Sequence, residues 1–185
     1  MSPPYLEIPD ALDRAALERV RDEMRGGGGD RATVSGEGPG RSASLARRAT
    51  EVEVSPEARD EVAALLERLR PRLGEHFGRP LDEIEPPQFL RYLEGDYFVA
   101  HQDGNTPVLH DDTRFRKVSV VLFAGDGYSG GELMLHEGYG PSDASVALAP
   151  PPGTLVAYPS ETTHEVRPVT AGERLTVVSW YRGGR

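Results

Sequence analysis

Gln88-Phe89-Leu90-Arg91-Tyr92-Leu93-Glu94-Gly95-Asp96-Tyr97-Phe98-Val99-Ala100-His101-Gln102-Asp103 follows Pro86-Pro87, and the periodicity of the chain changes there. Upstream, apolar residues recur at three- and four-residue steps. Downstream they come in short alternating or continuous runs bounded by Gly, Pro, Asp and Asn, the pattern of strands joined by tight turns. These runs are Gln88 to Leu93, Tyr97 to His101, Lys117 to Phe123, Gly131 to His136, Ser145 to Leu148, Thr154 to Tyr158, Thr163 to Pro168 and Arg174 to Tyr181. Eight strand-like runs predict a closed or sandwiched antiparallel fold.

Upstream of Pro86 the reading is helical. Asp10 is placed to cap a helix over Ala11 to Arg25, with Leu12, Ala15, Ala16, Arg19 and Val20 on one side and Gly26 to Gly29 as its stop. Asp30 to Arg48 is rich in Gly, Ser, Ala and Arg and reads as a mobile loop, with the Gly run as hinge of a flap over Arg31 to Arg48. A strand is expected at Thr50 to Val54. Ser55-Pro56-Glu57 restarts helix, Ser as cap and Pro in the first turn, and Val62, Leu65, Leu66, Leu69 and Leu73 form a core-facing stripe ending near Gly74 or Gly78. The expected organisation is one integrated domain: residues 1–87 supply helices and the Gly-rich flap packed on a core formed by 88–185.

Composition removes several partners. The 185 residues carry 21 basic and 30 acidic side chains, a formal net charge of −9, so the average surface field repels phosphate backbones and nucleic acid is not expected. No stretch approaches 18 apolar residues and the first residues lack a basic, apolar leader, so neither a membrane nor a secretory route is expected and the protein reads as cytoplasmic. There is no cysteine, which excludes disulfides, thiolate nucleophiles and Cys-rich metal sites. Any metal must be held by His and carboxylate.

His101 and Asp103 end the quoted stretch as a His-x-Asp pair. Alternate strand residues share a face, so imidazole and carboxylate can converge on one ion. Alone, the pair reads more readily as a surface His beside a turn Asp. His164, in Thr163-His164-Glu165-Val166, and Arg174 ten residues later change that balance. Two neutral imidazoles and one carboxylate on one face of an octahedron hold Fe(II) and leave adjacent positions open for a 2-oxo acid and O2. The far carboxylate of such an acid needs a fixed cation, for which Arg174 is suitably placed, with Thr176 facing the same way as a hydroxyl donor.

These motifs resemble the iron(II)- and 2-oxoglutarate-dependent dioxygenases, in the prolyl 4-hydroxylase-like branch. The resemblance runs from about Phe89 to Tyr181, through Arg91-Tyr92, Gly95, Tyr97 and His101-x-Asp103, then Ser129-Gly130-Gly131-Glu132-Leu133, Pro152-Gly153-Thr154-Leu155, His164-Glu165-Val166-x-Pro168-Val169, Gly172-x-Arg174-x-Thr176 and Ser179-Trp180-Tyr181. It implies a double-stranded β-helix of jelly-roll type with N-terminal helices on one sheet. It implies His101, Asp103 and His164 as iron ligands, Arg174 on the distal carboxylate of 2-oxoglutarate, and Tyr92 where the family often places a phenol touching the cosubstrate. The implied cofactors are Fe(II), 2-oxoglutarate and O2, with ascorbate as an accessory reductant. Asp103 stands where related halogenases have a small residue, so hydroxylation is expected rather than chlorination. The implied reaction hydroxylates a C–H bond, first of all in a prolyl residue of a peptide or protein, with release of succinate and CO2. Alternatives are a free amino acid or small biosynthetic intermediate as substrate, a cupin-like metalloenzyme without an oxo acid, or a non-catalytic 2-oxoglutarate sensor.

Other conspicuous residues have plainer readings. His136-Glu137 reads as a strand end beside a turn, His110-Asp111-Asp112 as a solvated rim loop within Gln102 to Arg116, and His76 as surface. Gly130-Gly131 reads as a turn rather than a phosphate cradle, and Trp180 as a core aromatic of the last strand. Substrate selectivity is expected from the rim loop and the flap. Neither the substrate nor the oligomeric state is legible.

Overall fold

The computed structural model describes residues 4–32, 46–104, 112–138 and 144–184. In chain order the elements are β1 (Leu6–Ile8), α1 (Arg14–Gly26), β2 (Gly29–Arg31), β3 (Arg47–Arg48), β4 (Thr50–Val52), α2 (Pro56–Phe77), β5 (Glu83–Ile84), β6 (Gln88–Tyr92) and β7 (Tyr97–His101). A 3₁₀ turn (Asp112–Phe115) leads into β8 (Arg116–Phe123), β9 (Ser129–Gly130), β10 (Leu133–His136), β11 (Val146–Leu148), β12 (Leu155–Pro159), β13 (Thr163–Val166), β14 (Val169–Ala171) and β15 (Arg174–Arg182). Residues 105–111 of the rim loop expected over Gln102 to Arg116, and residues 33–45 of the flap expected over Arg31 to Arg48, lie outside the described residues.

Two antiparallel sheets face each other. The larger runs β1-β12-β8-β15-β6-β4-β2, with β5 also on β15; the smaller runs β11-β10-β13-β7-β3, and β14 pairs with β9. This is the expected jelly roll, a double-stranded β-helix. All eight anticipated runs contain a strand, and the run from Thr163 to Pro168 stops at Val166, with Pro168 unable to donate to a ladder.

The pleat of β15 shows how this sequence separates core from site. Leu175, Val177 and Tyr181 face the helices, while Arg174, Thr176, Val178 and Trp180 line the space between the sheets. On the helix side, Val62, Leu65, Leu66, Leu69 and Leu73 of α2 join Ala16, Val20 and Met24 of α1 in one buried cluster with these strands. The Tyr181 hydroxyl donates to the Leu66 carbonyl at 2.7 Å, pinning the last strand to α2. Ser55 caps α2 by accepting from the Ala58 N–H at 3.2 Å, and its own N–H and hydroxyl donate to Glu23 of α1 at 2.7 and 2.9 Å. Gly78 ends α2 in the left-handed region at φ 63°, where a side chain would be strained. Leu65 is 1% exposed at the centre of this layer. Leu65→Ala is expected to cost about 3 kcal/mol in urea unfolding, as deletions in well-packed cores do.

The first helix departs from expectation. Its cap is Asp13, which accepts from the Ala16 N–H at 3.0 Å, and Asp10 sits in a turn at φ 47°. The Ala11 N–H donates to the Gly153 carbonyl at 2.8 Å, which holds residues 10–12 against a loop and delays the helix by one turn. The buried stripe is therefore Ala16, Leu17, Val20 and Met24, with Ala15 and Arg19 exposed. The Gly run is also less free than expected: Gly29 pairs with Val52 as β2 joins the sheet edge. No described helix is long and apolar enough to cross a membrane.

Candidate active site

Strands β7 and β13 pair antiparallel with His101 opposite His164, placing their rings 4.2 Å apart between centroids. Each ring is turned by its own chain: His101 Nδ1 donates to the Val99 carbonyl at 2.8 Å and His164 Nδ1 to the Thr162 carbonyl at 2.9 Å. A neutral ring with its proton on Nδ1 presents a lone pair at Nε2. Both Nε2 atoms face Asp103, at 3.3 Å from Oδ1 for His101 and 3.4 Å from Oδ2 for His164. Phe98 stacks on the His101 ring at 3.7 Å.

Burial pushes the His164 imidazole down to about 4, against the pull of Asp103, so the ring is neutral at pH 7. Burial alone would raise the Asp103 carboxyl, but His164, His101 and the Trp180 indole outweigh it and hold it well below the usual carboxylate range. The His164 lone pair and an ionised carboxylate thus face one another, with His101 Nε2 beside them. Such a cluster is balanced by a cation, and its N, N, O donor set is that of a divalent-metal site with room for other ligands. Among the described residues, these three are the only group of His and acidic side chains close enough to hold an ion.

The sign of the pH effect follows. Between about 6.5 and about 4 the unfolded chain takes up a proton that the folded site refuses at His164, so stability rises with pH across that window. Metal-free protein is expected to lose stability as pH falls from about 6.5 to about 4, read as thermal midpoint against pH, and His164→Gln should flatten the slope.

Arg174 begins β15 opposite Tyr92 of β6 and is 1% exposed. Its Nη1 donates to the Thr176 hydroxyl at 3.1 Å, and its guanidinium lies 5.0 Å from the Tyr92 ring centre and 5.3 Å from that of Phe123. No carboxylate of the described residues pairs with it, and its Nε is buried without a hydrogen-bond partner. A buried cation left this way is costly unless an anion completes it. Gly131, at φ 67°, makes room: a Cβ there would stand 2.9 Å from Arg174 Cδ. The sequence reading saw only a turn at Gly130-Gly131, because the long-range approach of Arg174 leaves no local signal.

Triad and arginine line one cavity, with Tyr92, Phe98, Tyr158, Thr176 and Trp180 among its walls. All six anticipated site residues meet here. Several were not anticipated. Arg47 of β3 lines the cavity with its guanidinium over Phe98 at 4.9 Å. Tyr158 sits 4.9 Å from the His164 ring, its phenol pushed well up by burial and by Asp103. Trp180 is buried as expected, but it borders the cavity. His76 is exposed as expected. His136 is buried at a strand end and engages Ser145 at 2.7 Å, away from the triad's ion position.

Residues 87–182 match the family model of the 2OG-Fe(II) oxygenase superfamily. A PKHD-type hydroxylase of Burkholderia ambifaria is 34% identical over 192 residues, covering 95% of this chain and 77% of the relative. One from Paracoccus denitrificans is 36% identical over 182 residues, covering 95% and 76%. Among solved structures, a Pseudomonas putida prolyl-4-hydroxylase superposes with a TM-score of 0.74 at 24% identity, over 98% of this chain and 93% of that one. A Trichoplax adhaerens prolyl hydroxylase, in complex with a hypoxia inducible factor peptide fragment, gives 0.74 at 17% identity, over 96% and 83%. The last two speak for the fold, the first two for descent. A His pair around a carboxylate, facing a buried arginine that lacks its anion, asks for a divalent metal and a dicarboxylic ligand together, and descent supplies the same answer: the chain belongs to the 2OG-Fe(II) oxygenase superfamily, as a 2-oxoglutarate-dependent hydroxylase using Fe(II), 2-oxoglutarate and O2.

Proposed function

We propose that His101, Asp103 and His164 hold the Fe(II), that Arg174 with Thr176 and Tyr92 binds 2-oxoglutarate, and that the substrate is a prolyl residue in a peptide or protein. The balanced reaction converts R–H, 2-oxoglutarate and O2 to R–OH, succinate and CO2. The observation that carries the reading is Arg174, buried without a carboxylate partner in the cavity that the triad borders.

When bound, Fe(II) supplies the O2 chemistry that couples decarboxylation to C–H hydroxylation. The chain's own residues bind and orient. Thr176 accepts from Arg174, which leaves its hydroxyl proton free to donate to the same carboxylate that the guanidinium receives. The two Nδ1 bonds to backbone carbonyls keep both Nε2 lone pairs on the metal side. Apolar walls from Leu133, Val166 and Val178 exclude water around them. Support for a prolyl substrate comes from the names of the neighbours, one of them solved with a peptide.

The test is anaerobic reconstitution with Fe(II) and 2-oxoglutarate, followed by O2 and by succinate and mass analysis with proline-containing peptides beside free proline. A weak visible charge-transfer band, then succinate and a 16 Da gain on a peptide proline, is expected. A band with turnover only on a free amino acid overturns the peptide assignment. No band and no succinate overturn the site assignment, and a band without succinate for any substrate favours a sensor.

A further inference from the structure

Asp103 lies just beyond the end of β7, yet its carboxylate is held from the opposite sheet. Ser119 of β8 donates its hydroxyl to Asp103 Oδ2 at 2.7 Å. Its register partner across β8 and β15 is Trp180, whose ring borders the same cavity. A serine hydroxyl has one proton, and that of Ser119 is directed at Asp103, so in the 3.0 Å contact between Ser119 and Ser160 the donor is Ser160. Ser160 also reaches the loop through its backbone, its carbonyl accepting from the N–H groups of Asp103 and Gly104 at 2.9 and 3.0 Å. Ser119 is 1% and Ser160 0% exposed, so water does not compete for these bonds. The indole is itself confined: the Arg116 guanidinium lies over it at 3.8 Å and is forked onto Glu85 at 2.8 and 2.6 Å.

We propose that Ser119 is a positioning residue that orients the Asp103 carboxylate for the metal, with Ser160 supporting Ser119. The inference rests on the assignment of Asp103 as a metal ligand made above. Without this donor the carboxylate at the loop end is free to rotate away, and each metal-binding event has to order it. Outer-sphere partners of this kind typically change metal affinity about 10- to 100-fold. Ser160 donates to a hydroxyl rather than to the ligand, so its loss leaves the bond from Ser119 to Asp103 in place.

The experiment titrates the metal-free chain with Mn(II) by calorimetry in the absence of O2. Ser119→Ala is expected to weaken binding about 10-fold or more, and Ser160→Ala by about threefold or less. Ser119→Ala and Ser160→Ala each delete one buried hydroxyl, so a merely structural role would move both affinities equally, and equal losses overturn the proposal. Wild-type affinity in Ser119→Ala also overturns it, provided that His164→Ala abolishes binding; the metal assignment then stands alone. If the wild-type chain does not bind Mn(II), the metal assignment fails and this inference fails with it.

Discussion

Replacing His164 with Ala is expected to lower Mn(II) or Fe(II) affinity by more than about 100-fold, beyond the range of outer-sphere changes, and to abolish both the charge-transfer band and succinate formation. The reason lies in how few atoms hold the site. Three side chains are proposed as the donors, and His164 has the more deeply buried of the two rings, kept neutral by that burial. Its removal leaves Asp103 and His101, a pair found on many surfaces without an ion. The fold should survive, because the β13 ladder uses backbone groups and His164 packs on Tyr158 and His101 rather than in the main core. Calorimetry with Mn(II), alongside circular dichroism, separates the two effects. Metal affinity within threefold of wild type would remove His164 from the ligand set.

Arg174→Met is expected to raise the apparent KM for 2-oxoglutarate about 100-fold or more, the loss that follows when one partner of a buried charge pair is deleted, with a smaller change in kcat at saturating cosubstrate. The same substitution should leave the thermal midpoint of the ligand-free protein unchanged or raised. In that state the guanidinium is a buried charge set against one hydroxyl and two aromatic faces, and an apolar side chain of similar length fills the space without the desolvation cost. Opposite effects on ligand-free stability and on oxo-acid affinity are the signature of a binding residue. A large drop in the ligand-free midpoint with unchanged affinity would make Arg174 structural.

Much of this was legible in residue order. The α2 stripe from Val62 to Leu73, the Ser55 cap and the eight strand runs carry their periods locally, and the structure contains them all. His101, Asp103, His164 and Arg174 are legible because a facial donor set and an oxo-acid cation need those residue types in strands whose alternate positions face one way. The α1 register was not: Asp10 and Asp13 are equivalent caps in sequence, and the bond from Ala11 to Gly153 decides between them. The short strands β1, β2, β5, β9 and β14 were missed because two or three residues carry no measurable period.

Sequence by itself determined the class of fold, the metal chemistry and the need for an anionic cosubstrate, since each depends on residue type, on local periods and on the order of short motifs along the chain. Only the tertiary structure decided what surrounds that chemistry. Ser119 and Ser160 look like ordinary strand and turn residues until the pairing of β8 with β12 brings them to Asp103. Gly131 looks like any turn glycine until Arg174 passes over it. These contacts join residues 16 to 57 positions apart, and such distances are closed by strand register, which the packing of both sheets sets together and no local stretch of sequence encodes.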